Sequence, residues 1–157
     1  MKGQTAIEYL MTYGWAILII LIVAGVLAYY GIFAPSGFLA PTARGFGQIQ
    51  VLNPWSLADA DGALKMNLQN RVGGEITITE ADVTIGSTDW VYSTVAGANS
   101  GKIASGSSDI ITFSAPAPAW DAAAQKVGDS YTATVTIKYS YGGTTFSSTG
   151  TISGTYS

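Results

Sequence analysis

The 157-residue sequence predicts an α+β chain: a long N-terminal hydrophobic α-helix, then an all-β sandwich head. Three observations carry this. An apolar run extends unbroken from Tyr9 to Ala34. Charged residues make up only 11% of the chain, against roughly 25% in soluble domains, and between Gly3 and Arg44 the single one is Glu8. Beyond residue 47, short runs of Val, Ile, Thr and Tyr alternate with polar residues and are separated by turn pairs. The organisation expected is a short lead at 1–3, a helix at 4–34, a linker at 35–47 and a head at 48–157.

The helix comes first. As a helix, the 26 or so residues from Tyr9 to Ala34 span roughly 39 Å, more than the roughly 30 Å of a bilayer core. Ile17, Ile19, Ile20, Ile22, Val23 and Val26 weaken a helix in water, but surroundings that exclude water override that preference. Gly14, Gly25 and Gly31 let a neighbouring backbone approach. Tyr29 and Tyr30 suit a membrane interface, and Pro35 followed by Gly37 stops the helix. The run is apolar on every side, so it has to be buried on every side. A cleavable secretory signal has an apolar core of only about 7–15 residues, which this run exceeds, although the pattern also permits a cut near Ala34.

The linker, PSGFLAPTARGFG (35–47), is rich in Pro and Gly. The alternating runs are GQIQVLN, ALKMNLQN, EITITEADVTI, DWVYSTV, DIITFSA, SYTATVTIKYS and TTFSSTGTIS. Asn53-Pro54, Asp61-Gly62, Gly73-Gly74, Gly101, Gly106 and Gly142-Gly143 read as turns, the last as a tight hairpin. About seven short strands in this length imply an immunoglobulin-like sandwich. AWDAAAQKVG (119–128) has room for one helical turn, but Pro116 and Pro118 favour a loop.

Cysteine and histidine are both absent, so disulfides, Cys/His metal sites and a Cys nucleophile are excluded. With a net charge of -3 and no basic cluster, a nucleic-acid partner is not expected. Asp59 and Asp61 before Gly62 faintly resemble the start of a calcium loop, but the remaining oxygen ligands are missing and a plain Asp-Gly turn reads better. Glu80 and Asp82 fall two apart in an alternating run, on one strand face, where a solvated surface is the simpler reading than a carboxylate pair. Trp90 fits an inward strand position. Trp55 and Trp120, near prolines, are either surface contacts or packing under loops. The sequence therefore predicts no enzyme, no cofactor and no metal. Ser/Thr-rich stretches suit an extracellular surface open to O-linked sugars, and no Asn-x-Ser/Thr sequon occurs.

Lys2, the Gly3-Gln4 junction, Glu8, Tyr9, Leu10 and the following helix together resemble the class III signal peptide of archaeal type IV pilin-like proteins. The likeness covers about 30 residues, Lys2 to Gly31, and the closing STGTISGTYS is a weaker echo. It implies cleavage by a membrane prepilin peptidase between Gly3 and Gln4, leaving residues 4–157 with Glu8 as the fifth residue. It also implies a helical homopolymer built by an assembly ATPase and platform protein, with Leu10, Trp15, Ile19, Ile22, Val26 and Tyr30 in the helix core. The subunit would pass through the cytoplasmic membrane before reaching a surface filament used for adhesion.

Glu8 carries two readings. A carboxylate held at depth in lipid costs a few kcal/mol, and an ammonium at Gln4 of an adjacent subunit would offset it and fix axial register. Alternatively, Thr5-Ala6-Ile7-Glu8 is a capping box with Thr5 as N-cap, and Glu8 in the first turn suits the helix dipole. At the level of function, the alternatives to a major pilin are a minor pilin or adhesin, and a bitopic membrane-anchored protein whose β-sandwich binds a ligand outside the cell.

Overall fold

The computed structural model describes residues 2–30 and 41–157. The chain divides into two compact units, Met1–Phe38 and Leu39–Ser157.

The first unit contains helix α1, Lys2–Tyr29. A further helical bond, from the Tyr30 amide to the Val26 carbonyl at 3.0 Å, closes its last turn. The expected continuation over 31–34, Gly31 and the Pro35/Gly37 stop lie outside the described residues. The helix begins earlier than the capping box requires. Thr5 lies inside α1, so its backbone is not that of an N-cap, and Glu8 falls in the second turn. The capping-box reading of Glu8 is therefore corrected: the helix extends through the residue that had to stand at its edge.

The second unit is a sandwich of two antiparallel sheets. Its strands are β1 (Thr42–Arg44), β2 (Ile49–Leu57), β3 (Leu64–Asn70), β4 (Ile76–Ile85), β5 (Thr88–Tyr92), β6 (Thr94–Ala96), β7 (Lys102–Ile103), β8 (Ser108–Ser114), β9 (Ser130–Tyr141) and β10 (Thr144–Thr155). One sheet runs β1-β10-β9-β4-β5, with β7 also paired to β4, and the other β2-β3-β8-β6. Two orders, β2-β3-β8-β6 and β10-β9-β4-β5, reproduce the ABED and GFCC′ sheets of an immunoglobulin sandwich.

Alternation builds the core. Leu64, Met66 and Leu68 on β3 face Tyr131, Ala133, Val135, Ile137 and Tyr139 on β9 across the sandwich, while the residues between them point outward. The Gly142-Gly143 pair joins β9 to β10 with φ of 59° and 82°, the two positive values a type I′ turn demands. Loop 119–128 holds turns and no helix.

Four details depart from the sequence reading. DWVYSTV is two strands, because the chain crosses from one sheet to the other at Ser93 between β5 and β6. Asn53-Pro54 lies within β2 at a bulge, not in a turn; β2 is an edge strand, where a missing proline N–H leaves no ladder bond broken. Thr42–Arg44, inside the expected linker, pairs with β10. EITITEADVTI and DWVYSTV join through a two-residue Gly86-Ser87 hairpin, with Gly86 at φ 63° as the first central residue of a II′ turn demands.

Candidate functional site

Helix α1 is the first place to look, because its sequence obeys no ordinary surface rule. Ala6–Tyr29 is long and apolar enough to cross a membrane. Ile7, Tyr9, Leu10, Met11, Trp15 and Leu21 are all exposed, and so are side chains on every other side of the helix. At about 100° per residue, Trp15, Ile19, Ile22, Val26 and Tyr30 fall within roughly 80° of one another, with Glu8 at the middle of that arc. Leu10 lies on the opposite side. The expected core residues thus form one stripe headed by Glu8, plus one outlier.

Around Gly14 the helix surface is indented: Leu10, Met11, Trp15 and Leu18 surround the missing side chain. Thr12 adds no free polar group, because its hydroxyl donates to the Glu8 carbonyl at 3.0 Å. Two tyrosine pairs mark the ends. The Tyr9 and Tyr13 ring centroids are 4.1 Å apart, and those of Tyr29 and Tyr30 are 5.6 Å apart. The backbone at Gly3 and Gln4 is helical, and the Gln4 side chain lies outside what the structure describes.

In the sandwich, the carboxylates that sequence spacing brings together turn out to have a cation. A bulge between Ile78 and Glu80 resets the alternation of β4, so Ile78 and Ala81 both point inward while Glu80 and Asp82 share the outer face. Lys138, opposite Glu80 on β9, donates to Glu80 Oε1 and lies 2.9 Å from Asp82 Oδ2. The Glu80 hydrogen bond first, then that of Asp82, raises the Lys138 pKa above the ordinary lysine value. With its charges paired and about a third exposed, the trio is a surface ion-pair network. Lys138 was not legible from spacing, since its place depends on the β4–β9 register.

Asp61 accepts from the Ala63 amide at 2.9 Å, capping its own turn, and no group of three or more acidic residues able to share a metal occurs among the described residues. The tryptophans divide as burial decides. Trp90 is buried and packs in a tilted pair, ring centroids 4.8 Å apart, against Trp120, whose Nε1 donates to the Asp59 carbonyl at 2.8 Å. Trp120 thus packs under its loop. Trp55 is half-buried in β2. Tyr92 donates to the Gly62 carbonyl at 2.7 Å, and burial, then Tyr156 and Asp61, push its pKa well above the usual phenol value.

The outer face of β9 and β10 is a ladder of hydroxyls: Thr136 opposite Thr149, Thr134 opposite Thr151 and Thr132 opposite Ser153. Thr136 and Thr149 hydrogen-bond to each other at 2.9 Å. Comparison with protein-family models, with curated proteins and with solved structures gives no match for this chain.

Proposed function

We propose that the chain is a pilin, a structural subunit of an archaeal type IV pilus-like extracellular filament that polymerises through its N-terminal helix and serves adhesion. The observation that carries this reading is α1 itself: an apolar surface exposed on all sides, headed by one carboxylate. Such a surface has two stable surroundings, lipid or a bundle of like helices. Before assembly, Tyr9 and Tyr29 lie 20 residues apart, roughly 30 Å, and match the two interfaces of a bilayer. That leaves Glu8 at the membrane edge and not at depth.

Cleavage between Gly3 and Gln4 by a prepilin peptidase removes Lys2 and creates an ammonium at Gln4. In the filament that ammonium pairs with Glu8 of a neighbour. Four residues of helix separate the two groups, so the pair sets an axial offset of about 6 Å between those neighbours. An assembly ATPase and platform protein supply the work, the sandwich forms the outer sheath, and the threonine ladder offers acceptors for O-linked sugars.

The test is Glu8→Gln in the native host, with Glu8→Asp beside it. Glu8→Gln should leave the subunit in the membrane and abolish surface filaments, with partial recovery in Glu8→Asp. Wild-type numbers of filaments from Glu8→Gln would refute the pairing. An intact Met1 and single molecules in the membrane would instead favour the bitopic binding protein.

A further inference from the structure

One end of the sandwich is left open. Strands β9 and β10 are 12 residues each, while β3 and β8, in the facing sheet, have 7. The core-facing side of the longer hairpin therefore runs past its cover. Tyr139, Tyr141 and Phe146 share that inward side, by strand alternation and by the pairing of Phe146 with Tyr139. Tyr139 remains buried, but Tyr141 is 40% and Phe146 45% exposed. The Tyr139 and Phe146 rings stack with centroids 5.9 Å apart.

These rings form one wall of a cleft of about 320 Å³, with Gln48, Val72 and Gly73 completing it. The opposite wall is rigid. Asn70, fully buried, donates from Nδ2 to the carbonyls of Gly74 at 2.8 Å and Ile103 at 2.9 Å, and its Oδ1 accepts from the Val72 amide at 2.7 Å. Ser105 donates to the Val72 carbonyl at 2.7 Å. Tyr141 lies so close over Gly74 that a Cβ there would come within 2.7 Å of its ring. The concavity is thus preformed.

The cleft is open on one side, so any occupant keeps part of its surface in water. A wholly apolar ligand would leave that part wet at a cost. None of the lining residues is charged, so nothing there pairs with a phosphate or uronate group. What fits is a neutral molecule with one flat C–H face and hydroxyls around its edge. Aromatic rings take the face, while the Gln48 amide and Tyr141 hydroxyl take the edge. We propose that this cleft binds a neutral saccharide, with a pyranose face resting on Phe146 and Tyr141 and ring hydroxyls hydrogen-bonded to Gln48. The site lies wholly within the sandwich and stands whether or not the chain polymerises.

The experiment uses the full chain in phospholipid nanodiscs, with empty nanodiscs as blank, and saturation-transfer NMR. The probes are maltotriose, cellotriose and N,N′-diacetylchitobiose. Transfer to the C–H protons of one sugar face is expected from at least one probe. Phe146→Ala and Tyr141→Ala should each weaken it at least tenfold, and Gln48→Ala about threefold. Phe146→Leu keeps apolar volume and guards against a folding failure; it should still lose about fivefold. No transfer from any of the three probes, or undiminished binding in Phe146→Leu, would overturn the proposal. So would a proline-rich peptide that binds at these rings where the sugars do not.

Discussion

Replacing Asn70 with alanine removes three hydrogen bonds, two to the loop that joins β3 to β4 and one to Ile103 on β7. Asn70 is the point where the chain leaves one sheet for the other, and it is buried with every bond directed at backbone. The variant leaves the Val72 amide and the Gly74 and Ile103 carbonyls without that partner. At about 1 kcal/mol per lost bond, plus the penalty for whatever stays dry, the cost is roughly 3–5 kcal/mol. That is a large part of the roughly 5–15 kcal/mol of a typical domain. Urea unfolding of the full chain in detergent micelles, followed by the fluorescence of Trp90 and Trp120, measures it. With a slope of about 2 kcal/mol/M, the midpoint should fall by roughly 1.5–2.5 M at unchanged slope.

Asn70→Asp refines the test. At neutral pH the new carboxylate still accepts from Val72 but faces two carbonyls, so the loss should equal or exceed that of Asn70→Ala. Burial and those carbonyls raise its folded pKa above the unfolded value of about 3.9. The sign follows: the folded state binds the proton more tightly, so part of the lost stability returns as pH falls through the folded pKa. A loss below about 1 kcal/mol in Asn70→Ala, or no recovery of Asn70→Asp in acid, would refute this reasoning.

Gly62→Ala should cost at least about 2 kcal/mol, because φ there is 66° and the added methyl would run into the Trp120 ring; a red-shifted tryptophan spectrum would accompany the loss. At the hairpin tip nothing lies near a Cβ on Gly142, so only backbone conformation matters: Gly142→Asn should be near neutral and Gly142→Val cost about 1–2 kcal/mol in the same unfolding assay. Alkaline unfolding should show the buried tyrosines. Burial foremost, with Tyr156 adding, pushes Tyr131 up to about 12, and Tyr92 is raised for the same leading reasons. Phenols with raised folded pKa values give full stability below pH 10, and lose it as pH climbs through the folded values. Denaturant midpoints should therefore hold to about pH 10 and then drop, and a flat profile to pH 12 would contradict the burial argument.

The parts of the fold that were legible were those governed by local rules. Period-two runs located β3, β8, β9 and β10, and Gly142-Gly143 gave the hairpin between the last two. The Gly86-Ser87 turn obeys the same rule and was readable, since Gly86, Ser87, Thr88 and Asp89 form a polar break between the two runs. Other features depend on pairing at a distance. The bulge that turns Glu80 and Asp82 outward, the placing of Lys138 between them and the use of Thr42–Arg44 as an edge for β10 all follow from register. Pro54 misled because its usual meaning, a turn, yields at an edge strand. In the helix the apolar pattern was plain, whereas its start was not: a capping box at Thr5 has the right letters, yet the helical backbone already begins at Lys2. The open end of the sandwich was invisible, since it arises from the unequal lengths of strands that face each other.

We propose that α1 is a filament core freed by a cut before Gln4. Mass spectrometry of the subunit in filaments sheared from native cells, with electron microscopy of the same preparation, tests it most directly. Thin filaments are expected whose protein begins at Gln4 and whose density places the helices at the axis. Subunits that begin at Met1, or that stay in the membrane fraction with no filament formed, would contradict it.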